Sequence, residues 1–215
     1  MKQKNRPLYI GITGNAGAGK STIAKHIESH GYKVIYVDKI GHDVLYEKQA
    51  VTDLTKMFGR TIIVNDQIDR KILRKIVFSD IEQLLKLNGY THRRIVQRMQ
   101  DIVDSHDNPS VDVLFFEVPL LFEYSLDDCF DYKILVIAEA DKKVKRVMRR
   151  DECSLENAEK ILENQYRQDF LVEFVEVVID NNFDINATKL QVDIFLQTLK
   201  FLKKKRKIKN FFNYP

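Results

Sequence analysis

A chain of 215 residues with 44% hydrophobic and 31% charged side chains is long enough to bury one substantial core. None of its apolar runs reaches the roughly 18 residues that a membrane-spanning helix needs, which argues against a membrane partner. The net charge of +4, from 35 Lys and Arg against 31 Asp and Glu, is too small to point to nucleic acid.

In chain order, the first residues MKQKNRPLYIG carry no signal-peptide apolar region, because a Gly-rich turn follows early. The run LYIGIT predicts a strand over 8–13, and STIAKHIESH predicts a helix over 21–30. A second strand is expected over 33–37. Residues from about 40 to 107 then break the alternation. They are rich in helix formers with one turn-like interruption, FGRTIIVNDQIDR, and are expected to form a mainly helical insertion (41–108) that carries a second substrate. Further strands are expected over 111–118, 132–138 and 175–179. Between the last two, a helix over 141–150 is expected to start on an Asp cap, and another over 154–174 on a Ser154 N-cap. Val192, Phe195, Leu196, Leu199 and Leu202 mark a last apolar helix, and KKKRKIK begins a solvated basic tail, 203–215. The runs are short and continuous rather than alternating, as buried parallel strands are. The fold class expected is therefore α/β, a P-loop kinase-like parallel sheet flanked by helices, in a single domain. Cys129 and Cys153 form neither a C-x-x-C pair nor a metal spacing, which predicts reduced thiols in a cytoplasmic protein.

The chain has only 8 glycines, and Gly11, Gly14, Gly17 and Gly19 fall within a dozen residues. Gly14-Asn15-Ala16-Gly17-Ala18-Gly19-Lys20-Ser21 matches G-x-x-x-x-G-K-[ST], between an expected strand and an expected helix. Glycines let successive backbone N–H groups turn inward around an anion, and the helix start adds its partial positive charge. Lys20 can reach the β- and γ-phosphates, the Ser21 hydroxyl can ligate Mg²⁺, and Thr22 completes the nucleotide-binding run. The pattern predicts a nucleoside triphosphate site.

What the triphosphate serves is a separate question. Asp38-Lys39-Ile40-Gly41 spells the D-x-x-G of GTPases, but only 16 residues separate Ser21 from Asp38 and no N-K-x-D occurs. Asp38 falls where the second strand ends, the edge at which open α/β sheets place their chemistry, so its carboxylate is a candidate general base; the alternative is a helix cap. Lys142, Lys143, Lys145, Arg146, Arg149 and Arg150 form a cationic cluster that suits a phosphate-clamping lid (140–170) as well as a solvated helix face.

Several stretches together resemble the dephospho-CoA kinase family, of the last step of coenzyme A biosynthesis. They are GKSTIA, G-Y-K-V-I-x-x-D ending at Asp38, D-x-I-D-R-x-x-L from Asp66 to Leu73, VPLLFE at 118–123, KRVMRRD at 145–151, Gln165, and VVIDNN at 177–182. The resemblance implies transfer of the ATP γ-phosphoryl group to the ribose 3′-hydroxyl of dephospho-CoA, with Mg²⁺ as cofactor. It assigns the base role to Asp38, phosphate binding to Lys20 and a lid role to Arg150. Asn181 and Asn182 would lie near the adenine, and Arg70 and His92 would contact the acceptor. The partners implied are ATP and dephospho-CoA, on a chain expected to be a monomer. Another P-loop small-molecule or nucleoside monophosphate kinase is the alternative. The chain departs from the family's D-A-D-x-I-A-R at Tyr36 and His42, from its His-Pro pair at Arg93, and from its D-G-x-[IL]-D-R at Gln67.

Overall fold

The computed structural model describes residues 7–78, 80–105 and 112–199; the basic tail, 203–215, lies outside them. In chain order the elements are β1 (Leu8–Thr13), α1 (Lys20–Ser29), β2 (Lys33–Tyr36), α2 (Val37–Leu45), α3 (Lys48–Phe58), β3 (Ile63–Val64), β4 (Gln67–Ile68) and α4 (Arg70–Phe78). They continue with α5 (Ile81–Ser105), β5 (Val113–Glu117), β6 (Tyr132–Ile137), α6 (Ala140–Asp151), α7 (Leu155–Glu163), α8 (Gln168–Leu171), β7 (Val177–Asp180) and α9 (Ile185–Leu199). The described residues fall into two compact units, one drawn from 1–36 and 108–210 and the other from 37–107.

The first unit is built on a sheet of order β2-β5-β1-β6-β7 in which every neighbouring pair is parallel. All six residues of β1 are buried, which is why this central strand carries no alternation. One sheet face presents Ile10, Ile12, Phe115, Ile134 and Val136 to Ile23 and Ile27 of α1 and to Val192, Phe195, Leu196 and Leu199 of α9. Burying each such large apolar side chain contributes about 1.5–3 kcal/mol. The other face holds Tyr9, Phe116 and Phe130 in edge and tilted ring contacts 5.8 and 5.4 Å apart. Gly11 is required there, since a Cβ would come 2.8 Å from Leu121 and 3.0 Å from Phe130.

The second unit is helical apart from one hairpin. Ala50, Leu54, Ile62, Ile68, Leu73 and Val77 form its core. The interrupted stretch FGRTIIVNDQIDR proves to be the β3–β4 hairpin, turned by Asn65 and Asp66 at φ of 50° and 60°. Asp69 then caps α4, its Oδ1 accepting from the N–H groups of Lys71 and Ile72. Arg94 of α5 reaches Glu47 at 2.8 Å and Asp53 at 3.3 Å while lying 4.8 Å over the Tyr90 ring. The Tyr90 hydroxyl donates to Asp53, and burial together with that bond pushes its pKa up to about 12.

Three local expectations are corrected. Strand 33–37 stops at Tyr36, and Val37 already opens α2 with its side chain buried. The helix expected from an Asp141 cap starts a residue earlier with Glu139 at the cap position, so Asp141 lies in the first turn, where its charge suits the helix dipole and pairs with Lys145 at 3.5 Å. The continuous helix over 154–174 breaks after Glu163, although Ser154 does cap it by accepting from the Asn157 N–H. Among the described residues no helix is long and apolar enough to cross a membrane.

Candidate functional site

The loop between β1 and α1 is shaped by three glycines in positive φ, Gly14 at 141°, Gly17 at 75° and Gly19 at 105°. A side chain at any of them would be strained and would also collide, with the Val136 carbonyl, the Lys143 carbonyl and the Asn181 amide respectively. No side chain caps α1, whose N-cap is Gly19 itself. A helix N-terminus without a capping side chain, preceded by a Gly-rich turn, suits an anion. Lys20 is 8% exposed, and its ammonium donates to the carbonyls of Gly14 (2.7 Å) and Asn15 (3.1 Å), so the cation sits inside the loop.

The loop is held from outside by several elements of the same unit. The Asn15 side-chain amide donates to the Tyr166 carbonyl at 2.9 Å, and the Ala16 N–H donates to Gln165 Oε1 at 2.8 Å. Ala16 also packs on Val147 of α6 and Ala158 of α7. Lys143, buried in α6, donates to Asn15 Oδ1 and to Gln168 Oε1, and burial lowers its pKa. Arg146 donates to the carbonyls of Gly17 and Ala18 and to that of Asn181. Asn181 is 7% exposed; its Nδ2 donates to the Ala18 carbonyl at 2.7 Å and its Oδ1 accepts from Thr188. The neighbouring Asn182 accepts from the Glu139 N–H through Oδ1 and from Lys142 through its carbonyl.

At the helix start, the exposed Ser21 hydroxyl donates to Glu117 Oε1 at 2.9 Å, and Thr22 follows it on the exposed side of α1. Glu117 is the last residue of β5, the strand beside β1, and is 7% exposed. A hydroxyl and a carboxylate this close offer the hard oxygen donors that Mg²⁺ prefers. The residues present therefore fit a Mg²⁺ ion.

The other expected site residues are placed as follows. Arg150 is exposed at the end of α6 and donates two hydrogen bonds to the Asp151 carboxylate, both at 2.7 Å. Tyr36, on β2, donates to Glu28 at 2.8 Å, and burial together with that carboxylate raises its pKa. In the helical unit, Asp38 lies exposed in the first turn of α2, and Arg70 Nη2 lies 2.8 Å from His42 Nε2. His92 is half-buried in α5, and burial lowers its pKa. The structure thus brings Gly14 to Thr22 together with Asn181, while Arg150 stands at the outer end of its helix.

Glu117, Gln165 and Arg146 hold the loop without having been expected as nucleotide-site residues. Glu117 had one usable signal, a carboxylate ending the apolar run VLFFE. Gln165 had only its place in the resemblance. Arg146 was one cation of six on a helix whose inward side only packing selects.

A five-stranded parallel sheet with a Gly-rich loop entering the helix after its central strand, and a Lys and Ser at that helix start, defines a P-loop kinase. A family model described as dephospho-CoA kinase matches residues 8–187. A dephospho-CoA kinase of Fusobacterium nucleatum is 34% identical over 89% of this chain and 98% of its own length. One of Oceanobacillus iheyensis is 34% identical over 88% and 96%. Among solved structures, a dephospho-CoA kinase from Campylobacter jejuni superposes with a TM-score of 0.69 at 27% identity, covering 89% of this chain and 96% of that one. A Thermus thermophilus protein reaches 0.80 at 28% identity, with 92% and 99% covered. A shikimate kinase from Acinetobacter baumannii, 15% identical with a TM-score of 0.52, shares the fold. The chain belongs to the dephospho-CoA kinase family.

Proposed function

We propose that this chain transfers the γ-phosphoryl group of ATP to the ribose 3′-hydroxyl of dephospho-CoA, giving coenzyme A and ADP, in the cytoplasm. The observation that carries the reading is the Lys20–Ser21–Glu117 arrangement at the carboxyl edge of the sheet, in a chain whose family match spans residues 8–187.

The backbone of residues 14–19 cradles the phosphates, and Lys20 exchanges its loop carbonyls for the β- and γ-phosphate oxygens. Ser21 and Glu117 would hold Mg²⁺, which would supply positive charge to the phosphate oxygens. Asp38, two residues past the end of β2, accepts the proton of the acceptor hydroxyl as it attacks. Phosphoryl transfer asks little covalent chemistry of the protein, so positioning and charge carry the rate. Residues 140–170 act as the lid, with Arg150 turning from Asp151 to the transferring group. Asn181 and Asn182 line the adenine side, Asn181 through its hold on the loop. The helical segment, 41–108, binds the acceptor, with Arg70 and His92 as its contacts.

The test is ADP release from Mg-ATP with dephospho-CoA, nucleoside monophosphates and shikimate as separate acceptors. Release that requires dephospho-CoA, with a new 3′-phosphate on the product, is expected. Equal or faster turnover with a nucleoside monophosphate or shikimate would overturn the assignment.

A further inference from the structure

α1 and α9 share one face of the sheet, and where they meet stands a cluster that the nucleotide site does not use. His26 and His30 lie one helical turn apart on and just after α1. Both direct Nε2 at the same oxygen of Asp193 on α9, His26 at 2.7 Å and His30 at 3.0 Å from Oδ1. The ligand atoms of all three lie within 4.8 Å of one another, and the two rings meet edge to face at 86°. The His26 side chain is 14% exposed, against 42% for His30 and 34% for Asp193, so one side of the cluster is walled by protein and the other is open.

A single carboxylate oxygen facing two imidazole nitrogens is held either by an N–H from each ring or by one metal ion that all three atoms share. A divalent ion satisfies all three atoms at once. Two imidazoles and a carboxylate are borderline donors of the kind that zinc, cobalt and nickel take, whereas Mg²⁺ prefers oxygen alone. With zinc bonds of about 2.0–2.1 Å, the ligand atoms of a tetrahedral site stand about 3.3 Å apart. Both nitrogens are already close to that distance from Asp193 Oδ1. The C-terminal end of a helix also favours a cation.

We propose that His26, His30 and Asp193 form a three-ligand site for a divalent transition-metal ion, zinc fitting best, with water in the open fourth position. The ion would clamp the end of α1 to α9. Both helices touch the phosphate loop at their other ends: α1 begins at Lys20, and Thr188 of α9 bonds Asn181, which bonds the Ala18 carbonyl. The site is thus a brace behind the loop, separate from the Mg²⁺ of the reaction.

The test uses tag-free full-length protein stripped with EDTA and then titrated with Zn²⁺ by calorimetry and with Co²⁺ by visible absorption, in excess Mg²⁺. One ion per chain is expected, with no thiolate charge-transfer band from Co²⁺. His30→Ala, an exposed change that should not disturb folding, and Asp193→Asn should each weaken uptake by at least about tenfold, as losing a ligand should exceed the effect of losing a ligand's support. Zn²⁺ at a hundred times the wild-type Kd should raise the Tm of the wild type by about 5–10 °C and that of His30→Ala by about half as much or less. No uptake by the wild type, or equal uptake by wild type and both variants, would overturn the proposal.

Discussion

Lys20 ends among loop carbonyls rather than in the sheet core, so its loss should spare the fold while removing the charge proposed to steady the transferring group. Lys20→Ala is expected to lose several powers of ten in kcat with an unchanged circular dichroism spectrum; wild-type turnover by the folded variant would take the loop out of the mechanism. Asp38 is inside the first turn of α2 and exposed, a position that costs little stability to alter. Asp38→Asn keeps the shape and would remove the proposed base, so kcat should fall by about 10² to 10⁴ with ATP affinity, measured calorimetrically with a non-hydrolysable analogue, almost unchanged. Rescue by excess Mg²⁺ would instead make Asp38 a metal-linked residue. His92 sets a pH dependence of stability. Burial lowers its pKa in the folded chain, while the unfolded chain takes up that proton near pH 6.5. Its contribution is therefore complete above about pH 6.5 and declines as pH falls from there toward the depressed folded value. Between pH 7.5 and 5, the Tm of the wild type should drop further than that of His92→Gln, and parallel curves would contradict this.

At the scale of elements, the break between α7 and α8 is the informative one. Helical propensity runs through residues 154–174, yet Gln165 and Tyr166 leave the helix to bond Ala16 and Asn15 of the phosphate loop. Two hydrogen bonds to a functional loop outweigh a few residues' worth of helix preference, each residue of which is worth well under about 1 kcal/mol. Gln165→Ala removes the acceptor of the Ala16 N–H. With about 1 kcal/mol lost from loop order, KM for ATP should rise about fivefold with little change in Tm. A large Tm loss at constant KM would make Gln165 purely structural.

For the whole molecule, the sheet face covered by α9 is already filled by Val192, Phe195, Leu196 and Leu199. The basic tail after it, 203–215, lies outside the described residues. Its removal should leave kcat/KM for both substrates within about threefold, under ~0.7 kcal/mol. A marked fall in Tm on truncation would show that Phe211, Phe212 or Tyr214 docks on the body.

The sequence by itself determined the buried strands and the phosphate loop, because both are local. Continuous apolar runs such as LYIGIT report burial on two faces, and glycines at 14, 17 and 19 report backbone angles that other residues avoid. Ser154 was legible as a cap for the same reason, a side chain bonding its own near neighbour. Only the tertiary structure decided that Ser21 meets Glu117 across 96 residues, that Arg146 rather than its neighbours turns to the loop, and that Asp193 faces His26 and His30. Those pairings depend on which helices the sheet holds side by side. Propensity and periodicity describe a residue's immediate neighbours, and they carry no record of a partner brought up by another strand or helix.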